Sequence, residues 1–391
     1  MADFIRANNE HLIPIQLFIN LLDFTYFGAR NLFSLGITAL LQLTIVFVVV
    51  HAVSSAIDDW SFEERSLFTM FALLMALNPM QAENLTWAFQ VAFVGSFALG
   101  TLAIASCAAL GSDRLLYALL AACCVCALAF LSTLSLASGI LVWPVLIAYC
   151  WLARFGWKAY IAIFVGFSLT LAFLSLAGAG SSTSEAIANA LADPLGVFAW
   201  YLALLGNPFS ALPMLFRQFL GFLVLVAITY LLVRSILDRF SGKPIDRSRL
   251  VTSMVSVFLA AACLSIAMGR YKAGLDYAST GRYMTPTMIL WLFVIASILI
   301  STAARLRPVL LRMGASALVY VALLGPTLEF ASNNGNLQPL LSGSKRWLPI
   351  RRTCSLKGCC RVFIISTLPW WLPGLITCGR ISFRFFPTQL V

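Results

Sequence analysis

Apolar residues in this chain come in long, nearly unbroken runs, not in the alternation of a half-buried strand. Runs long enough to cross roughly 30 Å of hydrocarbon fall near residues 31 to 53, 91 to 110, 115 to 133, 159 to 179, 213 to 237, 251 to 268, 287 to 304 and 314 to 331. Two shorter runs, 66 to 79 and 139 to 153, are expected to cross as well. The pattern predicts an all-α, polytopic transmembrane helix bundle of about ten spans. The run at 66 to 79 stops at Asn78-Pro79; some fourteen residues at 1.5 Å each cover only about 21 Å, so a recess below the membrane surface is expected after it.

Polar interruptions give the rest of the organisation. Residues 11 to 30, "HLIPIQLFINLLDFTYFGAR", mix polar and apolar positions too often for a span and carry Asp23, which predicts an amphipathic helix lying along the outer interface. A second interfacial segment is expected at residues 196 to 213, broken by Gly206, Asn207 and Pro208, with Trp200 and Tyr201 in the interfacial aromatic belt. The polar stretch "GSSTSEAIANALADPL" before it reads as a mobile loop or lid. Three regions follow: an external loop and interfacial helix over 1 to 30, the bundle over 31 to 331, and an atypical basic tail over 332 to 391. From 330 onward there are eight cations, four cysteines, three tryptophans and no acid, which suits either a shifted reading frame or a tail that binds anionic lipid.

Composition agrees with the membrane reading. Of 391 residues, 61% are hydrophobic and 10% charged, with a mean hydropathy of +0.93. The net charge of +11 would point to nucleic acid in a soluble protein; here the cations sort by loop, and nucleic acid is not expected as a partner. With residues 1 to 30 outside, twelve of the Lys and Arg fall in cytoplasmic loops and six, Arg6, Arg30, Arg217, Arg270, Lys272 and Arg282, on the opposite side. The start has no charged n-region followed by an apolar stretch, so insertion is expected to rely on internal helices. Cys107, Cys123, Cys124, Cys126, Cys150 and Cys263 read as small helix-packing residues, and no cysteine spacing suits a metal. No P-loop, dinucleotide fingerprint or nucleophile elbow is present, and no cofactor is named by the pattern.

Three clusters can carry chemistry. "NNEH" at 8 to 11 sets Glu10 beside His11, which offers a general base; the alternative is a helix cap. "NPMQAENLTWAFQ" at 78 to 90 follows the short run, so Gln81, Glu83, Asn84, Trp87 and Gln90 are expected to line the recess with a carboxylate, amides and an indole face suited to a sugar. "GRYKAGLDYASTGRYMTP" at 269 to 286 concentrates Arg270, Tyr271, Lys272, Arg282 and Tyr283 in a loop on the side where topology normally depletes cations. Guanidinium forks, an ammonium and phenols fit a lipid phosphate; the alternative is snorkelling toward headgroups. Arg217, alone in "MLFRQFLGF", either snorkels or joins that site in binding substrate.

The succession "NNEH…LLD", "ENLTWAFQVAF", "LSLASGILVWP" and "GRY…STGRYMTP" resembles bacterial polytopic proteins similar to GT-C glycosyltransferases, over roughly residues 7 to 330. The resemblance implies transfer of a sugar from a polyprenyl-phosphate donor to an envelope glycan or lipid acceptor, at the external face of the bacterial cytoplasmic membrane. It places Glu10 as the base with His11 beside it, Glu83 on a sugar, and Arg270 with Arg282 on the donor phosphate. GT-C proteins open with a span ahead of that loop, whereas this chain begins inside what looks like the loop; a second acid would come from upstream or from Asp3. A transporter or flippase, and a polymerase or ligase, of lipid-linked glycan would use the same external cations.

Overall fold

Long apolar runs with satisfied internal backbone bonds can only be helices inside a bilayer. The computed structural model describes residues 14–111, 114–177 and 181–302, and among these residues it contains helices and no strand. The elements are α1 (Pro14–Phe27), α2 (Leu32–Ala56), α3 (Phe62–Ala76), the short α4 (Ala82–Thr86), α5 (Val91–Ser106), α6 (Leu115–Ser135), α7 (Val142–Leu152), α8 (Trp157–Leu176), α9 (Ser181–Ala192), α10 (Pro194–Leu205), α11 (Met214–Phe240), α12 (Arg247–Arg270) and α13 (Met284–Ser301). Seven segments among the described residues are long and apolar enough to cross a membrane: Leu32–Ala56, Ala88–Gly111, Leu116–Ser135, Trp157–Leu176, Met214–Phe240, Arg247–Ala273 and Gly281–Ser301. A chain with these helices is a multi-pass membrane protein.

Two of the expected crossings are shorter than a full span. The run at 66 to 79 becomes α3, fifteen residues or about 22 Å long, and that at 139 to 153 becomes a 3-10 turn followed by the eleven-residue α7. The expected run at 314 to 331 and the tail lie outside the described residues.

α12 and α13 form the centre, with 72% of their most apolar windows buried, whereas α8 has 11% buried and turns Phe164, Leu169 and Leu176 outward. Those outward apolar side chains are the surface that lipid covers. Cys123 and Cys124 also face outward on α6, unlike the buried Cys107, Cys150 and Cys263, so they do not pack helices together as expected. At the end of the bundle away from the 271 to 283 loop, Arg249 pairs with Asp238, Arg154 donates to Arg239 O at 2.7 Å, and Arg239 Nε donates to Trp151 O at 3.0 Å.

α1 is built inside out. Phe18, Phe24 and Tyr26 are 56%, 71% and 75% exposed, while Gln16 and Asp23 are buried. Asp23 explains the inversion. The turn at Gly28, Ala29 and Asn31 runs through left-handed backbone, and Asn31 gives α2 no side-chain cap. The Asp23 carboxylate accepts from Asn31 N at 2.8 Å and Phe33 N at 2.7 Å instead, placing a negative charge at the positive end of α2. Asp23→Ala is expected to cost about 2 kcal/mol through loss of two charge-assisted bonds, read as a lower unfolding temperature in detergent. An unchanged transition would show that solvent or lipid caps α2 equally well.

Candidate functional site

The short α3 decides where the site lies. Its chain turns at Asn78, whose Oδ1 caps the next turn by accepting from Met80 N at 2.9 Å, and Gln81 then points into the bundle, fully buried. Gln81 Nε2 donates to Met75 O at 2.6 Å and Ala76 O at 3.1 Å, closing the C-terminal carbonyls of α3. Gln81 Oε1 accepts from Gln42 Nε2 at 3.2 Å and from Thr285 Oγ1 at 2.6 Å. Gln42 stands ten residues beyond Leu32, about 15 Å along α2. The turn after α3 is therefore set that far below the start of α2.

The 271 to 283 loop descends to meet it. Asn84 Nδ2 faces Gly281 O at 3.2 Å, Arg282 O at 3.0 Å and Thr285 Oγ1 at 2.7 Å. Two carbonyls among these acceptors fix which end of the amide is nitrogen. Beside it, Glu83 Oε2 accepts from Arg282 N at 2.9 Å, and Glu83 Oε1 lies 3.4 Å from Arg282 Nε, close enough for an ion pair though not aligned as a hydrogen bond. Gly281 lets the strands of chain approach, since a Cβ there would stand 3.1 Å from Glu83 Oε2.

An aromatic cluster carries the loop. Tyr283 packs edge-on against Trp200 and Tyr277, with ring centroids 5.8 and 6.1 Å apart, and Arg282 lies 5.8 Å over the Tyr277 ring. Trp200 Nε1 donates to Gly274 O at 3.0 Å and Tyr201 OH to Ala260 O at 3.1 Å. Both side chains are buried, so they hold α10 to its neighbours and do not form the expected interfacial belt. The stretch read as a loop or lid is helix α9, and its Asn189 binds the loop: Tyr271 OH donates to Asn189 O at 2.8 Å and Lys272 Nζ to Asn189 Oδ1 at 2.7 Å.

The expected residues thus separate into groups. Glu83 and Asn84 meet Arg282, with Tyr283 adjoining, across some two hundred residues of sequence. Arg270 is exposed, its side chain has no ion pair or hydrogen bond among the described residues, and its charge reaches Tyr283. Tyr271 and Lys272 are engaged by α9. Trp87 is 39% exposed and stacks on Phe89 at 5.5 Å, whereas Gln90 is buried. Arg217 is buried against α10. Glu10 and His11, the expected base and its neighbour, lie outside the described residues, as does Asp3. Glu83 does more than offer a carboxylate to a sugar, because both its oxygens are turned to Arg282.

Gln42, Thr285, Tyr277 and Asn189 were not singled out from the sequence. Gln42 had a signal: it is the one amide side chain in the largely apolar span α2, a position that is costly unless paired. Among the described residues no group of three or more His, Cys, Asp or Glu could hold a metal ion. Compared with known proteins, the chain matches no family model, no curated protein and no solved structure.

Proposed function

We propose that this protein is a membrane glycosyltransferase, moving a sugar from a polyprenyl-phosphate donor to an envelope glycan or lipid at the external face. The observation that supports this most is the junction of Glu83 and Asn84 with Arg282, flanked by the exposed Arg270 and the Tyr277–Tyr283 pair. Two guanidinium groups beside phenols suit a phosphate, and their charge favours a leaving group that becomes more negative as the reaction proceeds. An acceptor oxygen attacks the anomeric carbon, the bond from that carbon to the phosphate oxygen breaks, and polyprenyl phosphate leaves with the electron pair. The acceptor's proton passes to a carboxylate, a role the family resemblance gives to Glu10. Glu83 holds Arg282 in position for the phosphate.

Membranes containing the chain are expected to transfer radiolabelled sugar from a synthetic polyprenyl-phosphate donor. Arg282→Ala should lower the rate by about 100-fold, the usual scale for losing one group that stabilises developing charge, with membrane insertion unchanged. Glu10→Gln should abolish transfer. Normal transfer by Arg282→Ala would remove the phosphate role from this loop.

One observation favours a second reading, a flippase for lipid-linked glycan: Arg217 is a cation buried within a membrane-spanning segment. A flippase would carry fluorescent lipid-linked glycan across a vesicle bilayer without forming a glycosidic bond, so the same preparation distinguishes the two.

A further inference from the structure

α7 and α8 fold back on each other through the turn at 153 to 156, where Arg154 takes left-handed backbone and Phe155 N donates to Cys150 O at 3.1 Å. Farther along, the two helices touch closely. Trp143 stacks on Phe167 with ring centroids 5.8 Å apart, and a Cβ on Gly166 would stand 2.9 Å from the Trp143 ring. On the turn side of that contact they leave a groove of about 280 Å³, lined by Ile147, Tyr160, Ile161, Phe164 and Val165. Ile161, Phe164 and Val165 are exposed, so the groove opens on the surface that lipid covers.

The mouth of the groove is positively charged. Lys158 shares one stripe of α8 with Ile161 and Val165 and stands nearest the turn. Unlike Arg217, whose burial rules out the expected snorkelling, Lys158 is exposed, and helical side chains lean toward the helix start, here the membrane surface. Arg239 of α11 donates from Nε to Trp151 O at 3.0 Å, lies 5.7 Å over the Trp151 ring, and its charge reaches Tyr160. Arg154 Nη2 donates to Arg239 O at 2.7 Å. Among the described residues none of these three cations pairs with a carboxylate; Asp238 is taken by Arg249, and Asp246 accepts from Arg249 N.

An apolar slot with unpaired cations at its mouth matches an amphiphile with an apolar chain and an anionic head. A second copy of this chain, seated by twofold symmetry, would bring like charges face to face. We propose that the α7–α8 groove binds an anionic phospholipid, with the upper part of one acyl chain against Ile147, Ile161 and Phe164 and the headgroup phosphate on Lys158, Arg154 and Arg239. The Tyr160 hydroxyl adds a donor between chain and head. The site lies at the end of the bundle away from the 271 to 283 loop and does not rest on sugar transfer.

Full-length protein would be stripped of bulk lipid in detergent and incubated with phosphatidylglycerol or phosphatidylcholine of the same acyl chains, and the retained lipid counted by native mass spectrometry. Wild type is expected to hold one phosphatidylglycerol about tenfold more tightly than phosphatidylcholine. Lys158→Gln should weaken this by about fivefold, the effect of one cation near an anionic lipid, and Lys158→Arg should keep it. Ile161→Trp fills the groove with every charge in place and should weaken retention by about tenfold, the effect of displacing roughly two methylenes. Arg65→Gln, at an exposed cation on α3, should leave retention unchanged. All four variants alter exposed side chains, and an unchanged unfolding temperature in each checks that they fold. Equal retention of the two lipids by wild type overturns the site. So does an equal loss from Arg65→Gln and Lys158→Gln, which would reduce it to general surface charge, and so does full retention by Ile161→Trp or a second protein copy bound in place of lipid.

Discussion

Gly221→Leu is expected to be the most damaging single substitution in the described part of the chain. The new Cβ meets the backbone oxygen of Leu202, not the end of a flexible side chain, so α10 must move away from α11. Small residues let membrane helices approach to this distance, and their loss removes the packing that joins them. Overpacking of this kind costs about 3 kcal/mol or more where backbone has to shift. The measurement is thermal unfolding of purified protein in detergent, together with the monodisperse yield. Gly36→Ala on α2, where nothing lies within 4 Å of the added atom, is the control and should unfold at or slightly above the wild-type temperature. Equal transitions for Gly221→Leu and wild type would mean that the hairpin is looser than its contact distances imply.

Asn84→Asp should have the next largest effect, although it exchanges only one nitrogen for an oxygen. The Asn84 amide has two protons for three acceptors, Gly281 O, Arg282 O and Thr285 Oγ1, so it serves them in a shared arrangement. A carboxylate would present acceptors to acceptors and leave buried carbonyls unmatched, at about 1–3 kcal/mol for each orphaned group. We expect a lower unfolding temperature and faster hydrogen exchange over residues 276 to 283, because the loop loses its attachment to the turn after α3. The proposed sugar transfer should fall with it. Unchanged exchange in that loop would assign its order to Tyr283 and Trp200 instead.

Much of the helical framework was legible because an apolar run of twenty residues has one solution in a bilayer. The break at Gly206, Asn207 and Pro208 was legible as backbone chemistry, and the end of α3 at Asn78-Pro79 as a length too short for a span. Trp200 and Tyr201 misled because an aromatic residue near a helix end fits an interface and a core equally well; only the carbonyls of Gly274 and Ala260, supplied by distant segments, decide between them. α1 was legible as an amphipathic helix, but amphipathicity reveals two faces and not which one meets the protein; Asp23 turns the polar one inward by capping α2. In the candidate site, "NPMQAENLTWAFQ" and "STGRYMTP" each looked significant alone. That Glu83 and Arg282 spend their charges on each other depends on a contact across 199 residues, which local pattern does not encode.

The shortness of α3 also acts on the lipid. The helix presents Phe62, Met70 and Leu74 outward over a length of about 22 Å, against the roughly 30 Å of a typical hydrocarbon layer. If α3 crosses the bilayer, lipids against that face compress or tilt by several ångströms, at a fraction of a kcal/mol for each. Where that face meets lipid, the hydrocarbon layer would thin on the flank where the turn carrying Glu83 begins, and chain length in the surrounding membrane would become a variable that bears on how close the headgroups come to Arg282.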